Sequence, residues 1–347
     1  PVGSSGTTPT TTSPQAPGAP EASAAPGFSG APSFSGSASP TPSASSPNVS
    51  AETPDGTVKA FLSAIENNEL GKVWDLLPKS YQDQINGLFQ DFGNQVDAEV
   101  WDKSFVMLNR YTSALLTKED LLYETPEIQD QFRTMKATFS QMGNINTDWL
   151  TIERYRKVAS PMNRVMVALM NCELSSTSKL KSFDGRVFFD QTLGTIADSY
   201  RKFITGIIEE AESIEELNSN PQFQELVTRL DKISLTNNVK ISVKYQQETT
   251  AVVVIEALGE PTEVTMIKLE EKWIPQSMAA MFGISMGMAK AQIPMLAMQV
   301  NSVKDRLIPA LEEVEPYVQA LQSARTQEEF NTAYAEVNQQ GPIIVAK

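Results

Sequence analysis

The 347-residue chain is 41% apolar and carries Lys+Arg 28 against Asp+Glu 42, a formal net charge of -14. It therefore has the apolar mass for a core but lacks the clustered cations that hold phosphate backbones, which excludes nucleic acid as an expected partner. There is no histidine and a single cysteine, Cys172, so imidazole-based triads and dyads, His- or Cys-ligated zinc, copper(II) and haem sites, and an intrachain disulfide are all excluded.

Residues 1–52 are rich in Pro, Ser, Ala, Thr and Gly, with a near-repeat around Phe28 and Phe34. Such a segment buries too little apolar surface to offset its ordering entropy and is expected to be a disordered tether of the kind that holds a domain clear of a membrane. Asn48-Val49-Ser50 fits a glycosylation sequon. With Pro1 as first residue, a removed signal peptide is expected upstream, and with it an extracytoplasmic setting, in the periplasm or at the cell surface. The tether motivates a further expectation: a lipoprotein-type anchor on an upstream cysteine, giving peripheral membrane association.

Residues 53–347 are expected to form a single, predominantly helical α+β domain. Thr53-Pro54-Asp55-Gly56 reads as a turn and helix start, and Val58, Phe61, Leu62 and Ile65 follow at helical spacing. Asn67-Asn68-Glu69 ends that helix; a second runs from Leu70 toward Pro78 and a third from about Ser80 through Phe92. Helical spacing continues to residue 235, interrupted by an expected short strand at Arg186 to Phe189. Helices are also expected from Thr195 to Leu217 and from Phe223 to Leu230.

Between 236 and 275 the period changes to that of strands. Ile241 to Tyr245 alternates, Ala251 to Leu258 is a β-branched run, and Glu263 to Leu269 follows, with turns expected at Gln247-Glu248 and at Gly259 to Pro261. This predicts one three- to four-stranded antiparallel meander. Its middle strand is apolar on both faces and is expected to be covered on both. Residues 276–340 return to helix, with a capping-box start at Thr326 and Glu329.

Thr57 to Pro78 resembles the opening helix pair of small exported bacterial domains of the nuclear-transport-factor-2-like (cystatin-like) superfamily. Val239 to Ile274 resembles their closing meander, with Leu-Glu-Glu-Lys-Trp-Ile where that family usually has Asp-Gly-Lys-Trp. The segments from Tyr81 to Ile85 and Val100 to Phe105 are similar to uncharacterised exported bacterial proteins. The superfamily resemblance implies a cone-shaped pocket and, as one alternative, an isomerase-like enzyme with a carboxylate base and a tyrosine donor. A longer helical run than the family's separates the two matching parts here.

Several motifs invite chemistry. Gly283-Ile-Ser285-Met-Gly287 fits a nucleophile elbow, but with no imidazole to take the serine proton and helix on either side it reads as a chance match. Ser176 with Lys179, and Ser285 with Lys290, lack the companion motifs of serine/lysine enzymes. Arg154, Arg156, Lys157 and Arg164 read as a solvated face, as do Glu209, Glu210, Glu212, Glu215 and Glu216. Met278, Met281, Met286, Met288, Met295 and Met298 are expected first as core packing, with a partner- or membrane-contacting face and a copper(I) site as the alternatives. No catalytic, cofactor-binding or metal-ligating residue is assigned. The expected function is a non-catalytic cell-envelope protein that binds a protein partner or a small apolar ligand, with a pocket sought between the meander and the helices after Pro275.

Overall fold

The structure, a computed structural model, describes residues 51–143, 147, 150–214, 224, 239–257 and 260–346. The expected tether lies outside them apart from Ala51 and Glu52, as do the sequon, Glu215 and Glu216, and all of the expected helix at Phe223 to Leu230 except Gln224. Ala51 and Glu52 turn onto the domain: the Thr57 hydroxyl donates to the Ala51 carbonyl at 2.9 Å and Trp273 Nε1 to that of Glu52 at 3.1 Å.

The architecture is α+β and mainly helical, with one four-stranded antiparallel sheet. Helix α1 (Pro54–Glu66) starts where Thr53 Oγ1 accepts from Gly56 N, with Pro54 in the first turn, where its missing N–H costs nothing. Asn68, at a φ of 57°, reverses the chain into α2 (Leu70–Asp75). Then come α3 (Lys79–Gln95), α4 (Ala98–Thr117), α5 (Glu119–Tyr123), α6 (Pro126–Gly143), α7 (Ile152–Asn171) and α8 (Thr177–Lys181).

The strand expected at Arg186 to Phe189 is helical instead. Asp184 caps the segment by accepting from Arg186 N at 2.8 Å, α9 (Gly185–Val187) opens it, and a π-helical turn (Phe188–Leu193) leads into α10 (Gly194–Glu212). Aromatic and β-branched composition suggested a strand, but packing overrides that weak preference. Phe189 lies 5.2 Å from the Trp74 ring, and Gly185 is so close to the same indole that a Cβ would stand 2.1 Å from it. The helix expected to reach Leu217 ends at Glu212.

The sheet runs in the order β1 (Val239–Gln246), β2 (Thr250–Ala257), β3 (Glu260–Leu269), β4 (Lys272–Pro275), a meander in which every neighbour is antiparallel. Pro261, expected in a turn, sits within β3 opposite Glu256, because Ala257 pairs with Glu260 and leaves only two residues to connect the strands. The expectation that the middle strand is covered on both faces is also corrected. Ala251 and Val253 are buried with Met266 and Trp273 and pack against Val58 of α1, whereas Val252 and Val254 on the other face are only half-buried. An edge strand bearing Lys240 and Lys244 and a bulge near Lys244 is protected against pairing with another chain.

Three further helices close the domain: α11 (Gln276–Ser302), α12 (Lys304–Ser323) and α13 (Gln327–Ala346). Leu321, Ala324, Phe330 and Ala333 form a second core with Ala114 of α4. The expected capping box is present in a shifted form. Thr326 Oγ1 accepts from Glu329 N at 3.2 Å, while the Glu329 carboxylate accepts from Arg325 N at 2.7 Å.

Between β3 and β4, Leu269 pairs with Lys272 across Glu270 (φ 50°) and Glu271 (φ 63°). Two-residue hairpins of this kind favour Asn-Gly, and a left-handed conformation costs a side-chain-bearing residue roughly 1–2 kcal/mol. Glu270 ties the turn to α3: its carboxylate accepts from Ser80 N at 3.0 Å. Glu271 pairs only with Lys268 at the surface, which is worth little. Glu271→Gly is expected to raise stability by about 0.5–1 kcal/mol, read as a higher urea midpoint at unchanged slope.

Candidate functional site

Helix α11 spans 27 residues with Lys290 as its sole charge, and it is apolar on two opposite faces. At about 100° per residue, Phe282, Met286, Ala289, Ile293, Ala297 and Val300 fall on one stripe, and these are buried or half-buried. Phe282 stacks flat on Tyr81 of α3, with ring centroids 3.6 Å apart and planes 6° from parallel. Burial, and after it the charge of Glu270, pushes the Tyr81 phenol above its usual pKa.

The opposite stripe is exposed. Met281 is 65% accessible, Ile284 66%, Met288 56%, Met295 49% and Met298 64%. The core packing expected for the methionine stretch is therefore corrected: of its six methionines Met286 is buried and Met278 half-buried, and the other four face outward. Ala280, Gly287 and Ala291 lie among them and are exposed. A Cβ built on Gly283 or Gly287 would meet nothing within 4 Å. The reason is geometric: Met spaced at both the buried and the exposed phases of one helix cannot all reach the same core.

The same spacing weighs against copper(I) at this stretch. Met281, Met288 and Met295 are seven residues apart, about 10 Å of helical rise, too far for three sulfurs of one helix to share an ion. Ser285, exposed in mid-helix, is in no elbow.

The ends of α11 are fixed. Its N-terminus follows β4 directly. Near its C-terminus Asn301 Oδ1 accepts from Asp97 N at 2.6 Å and Asn301 Nδ2 donates to Gln95 O at 3.0 Å. Lys304 Nζ then pairs with Asp97 at 2.9 Å and Glu99 at 3.0 Å. Asp97 also caps α4 by accepting from Val100 N. The Lys304 ammonium, followed by the Val100 amide, holds the Asp97 carboxyl below its usual pKa.

A cleft of about 570 Å³ lies elsewhere, between α4, α5, α7 and the π-helical turn, and not between the sheet and α11. Its wall is mostly apolar surface, from side chains such as Leu116, Val167 and Ala168, with Glu119, Asn163, Arg164 and Glu173 supplying polar groups. Thr192 Oγ1 donates to Glu173 at 3.3 Å and Asn163 Nδ2 to Glu119 at 3.4 Å. Cys172 is buried beside it, and burial raises its thiol pKa, so it is a poor nucleophile. No tyrosine lines the cleft. Tyr123, one turn beyond Glu119, is buried and pushed up to about 12, by burial first and then by the Glu119 charge.

The remaining motifs have structural duties. Ser176 caps α8 by accepting from Lys179 N, and Lys179 Nζ donates to the carbonyls of Asn171 and Cys172 at the end of α7 and to Ser175 Oγ at 3.2 Å. Arg154 and Lys157 pair with Glu210, joining α7 to α10, and Arg156 pairs with Asp120 at 2.6 Å. Among the described residues no group of three His, Cys, Asp or Glu side chains is placed to hold a metal ion, and no helix is long and apolar enough to cross a membrane.

Nothing in the sequence analysis singled out the outward phase of α11, although its signal was present: heptad spacing at 281, 284, 288, 291, 295 and 298 in a run almost free of charge. Comparison with protein-family models, with curated proteins and with solved structures finds no match for the chain.

A carboxyl whose folded pKa is depressed contributes stability that is complete above its unfolded value, near 3.9, and is lost as pH falls through the folded value. Asp97→Ala is expected to cost about 1 kcal/mol at neutral pH through the lost cap. Asp97→Asn keeps the cap and removes the charge, so its acid unfolding limb below about pH 4 is expected to be shallower than that of the native chain. Denaturant titrations across that range measure both.

Proposed function

We propose that this protein is a non-catalytic binding protein of the cell envelope whose working surface is the exposed apolar stripe of α11, docking a protein partner. The observation that carries this reading is that α11 is apolar on both sides while the body of the domain covers one. An exposed patch of this size and continuity marks an interaction surface, since monomers seldom present so many contiguous large apolar side chains. Methionine suits the task because its unbranched, polarisable side chain adapts to the surface it meets.

The absence of imidazole, the buried high-pKa thiol and the tyrosine-free cleft support a role without catalysis. An isomerase-like activity within the nuclear-transport-factor-2-like superfamily is the weaker alternative: it needs a carboxylate and a tyrosine in one apolar pocket, and no tyrosine lines the cleft at Glu119 and Glu173. The Pro/Ser/Ala-rich composition of residues 1–52 supports the envelope setting and a lipid anchor upstream, which a lipid-labelling experiment on the full gene product addresses.

Photo-crosslinking in native cells tests the docking surface. A photoreactive side chain at Ile284 or Met288 is expected to form discrete protein adducts, and the same group at exposed Tyr200 of α10 is not. Absence of adducts from every position along the α11 stripe sinks the proposal.

A further inference from the structure

We infer that the occupant of the α11 stripe is a second copy of this chain, paired helix to helix through a two-fold-symmetric contact; this rests on the partner-binding reading above. Met281, Ile284, Met288, Ala291, Met295 and Met298 repeat at alternating steps of three and four, the seam spacing that lets one helix seat side chains into the holes of another. The exposed stripe runs from Met281 to Met298, 18 residues and about 26 Å of helix, and is about 120° wide at 100° per residue.

The surface complements itself. Met281, Ile284, Met288, Met295 and Met298 are ridges, while Ala280, Gly287 and Ala291 between them leave depressions with room for a neighbouring side chain. A two-fold contact places the ridges of one copy against the depressions of the other. A convex helical ridge also has no enclosed space for a small molecule, whose sites are concave.

The area matches the demand. At the exposures given above, the five large side chains of the stripe leave roughly 500 Å² of mainly apolar surface per copy. Two stripes together offer about 1,000 Å² before the small residues are counted, the lower bound for a specific interface. Polar residues stand at the margins, with Lys290 on one side and Gln292 and Gln299 on the other, as in the rim of an interface. A lipid surface is the weaker occupant. Interfacial helices carry many Lys and Arg beside the apolar face, whereas α11 has Lys290 alone and the chain's net charge is -14.

The test is the solution mass of the purified full chain by sedimentation over a wide dilution series. The native chain and a Tyr200→Glu control are expected to reach twice the chain mass. Ile284→Glu and Met288→Glu are expected to stay at the single-chain mass with unchanged circular dichroism. Because those variants alter exposed positions, folding is expected to survive; a second measurement independent of destabilisation is oxidative cross-linking of Met288→Cys in a Cys172→Ser background, expected to give a covalent dimer. A native chain that is monomeric at every concentration overturns the inference. So does a dimer that survives both glutamate substitutions. If the monomeric chain still gives α11 adducts in cells, a different protein is the partner and the docking proposal stands. If it instead floats with phosphatidylcholine vesicles, the occupant is a lipid surface. Loss of both dimer and adducts removes the two readings together.

Discussion

The face-to-face stack of Tyr81 on Phe282 joins the two halves of this domain, because it is where the helical layer begun by α3 meets the helix that leaves the sheet. Everything downstream of the meander is positioned by α11, which sits against β3, β4 and α3 and then delivers the chain to α12. The stack is reinforced from both directions. Glu270, in the strained β3–β4 turn, accepts from the first turn of α3, and Asn301 ties the far end of α11 to the junction of α3 and α4. An aromatic pair contributes about 0.5–1.5 kcal/mol beyond its buried area, but its larger role here is to fix the rotation of α11 about its own axis. Once that rotation is set, which methionines are buried and which face outward is decided for the whole helix.

That rotation makes α11 an energetic anomaly. A helix that is apolar all round is ordinarily enclosed on all sides, and a large side chain left about half in water forgoes only part of the roughly 1.5–3 kcal/mol that full burial is worth. Five such positions in register along one face amount to a large unrealised stabilisation. Replacing them with polar residues would leave the buried stripe untouched, since Phe282, Met286, Ile293 and Ala297 make the contacts with the body. The stripe therefore leaves more than half of its apolar surface unused by the folded monomer, which is the basis of the docking proposal.

Much of the fold was legible in the sequence because its signals were local. Thr53 with Pro54, the pair Asn67-Asn68, and Thr326 with Glu329 marked helix ends through capping chemistry that depends on a few adjacent atoms, and the alternation at Ile241 to Tyr245 marked the sheet. The failures occurred where long-range packing decides. Arg186-Val-Phe-Phe189 has strand composition, yet it is helical because Asp184 caps it and Trp74 and Phe183 hold its phenylalanines. Pro261 reads as a turn residue but is paired in β3. The candidate site was half legible: the methionine stretch and its near absence of charge stood out, while the identity of the stripe that meets Tyr81 could not be read without the partner surface. Both phases of the helix are equally apolar, so periodicity alone gives no preference between them.

Charge is distributed so as to leave that stripe free. The ion pairs that join helices lie on other surfaces: Lys103 with Glu312 and Arg110 with Glu315 between α4 and α12, Lys304 with Asp97 and Glu99, and Lys157 with Glu210 between α7 and α10. A chain with a net charge of -14 repels its own copies at long range. That repulsion is screened within about 10 Å at ordinary ionic strength, and the approach of two α11 faces brings together surfaces bearing one lysine each and no carboxylate. Self-association along this helix is thus opposed by charge less than along any surface where the acidic pairs are displayed. Among the described residues the acidic side chains thus lie off α11, whose outward stripe is uncharged.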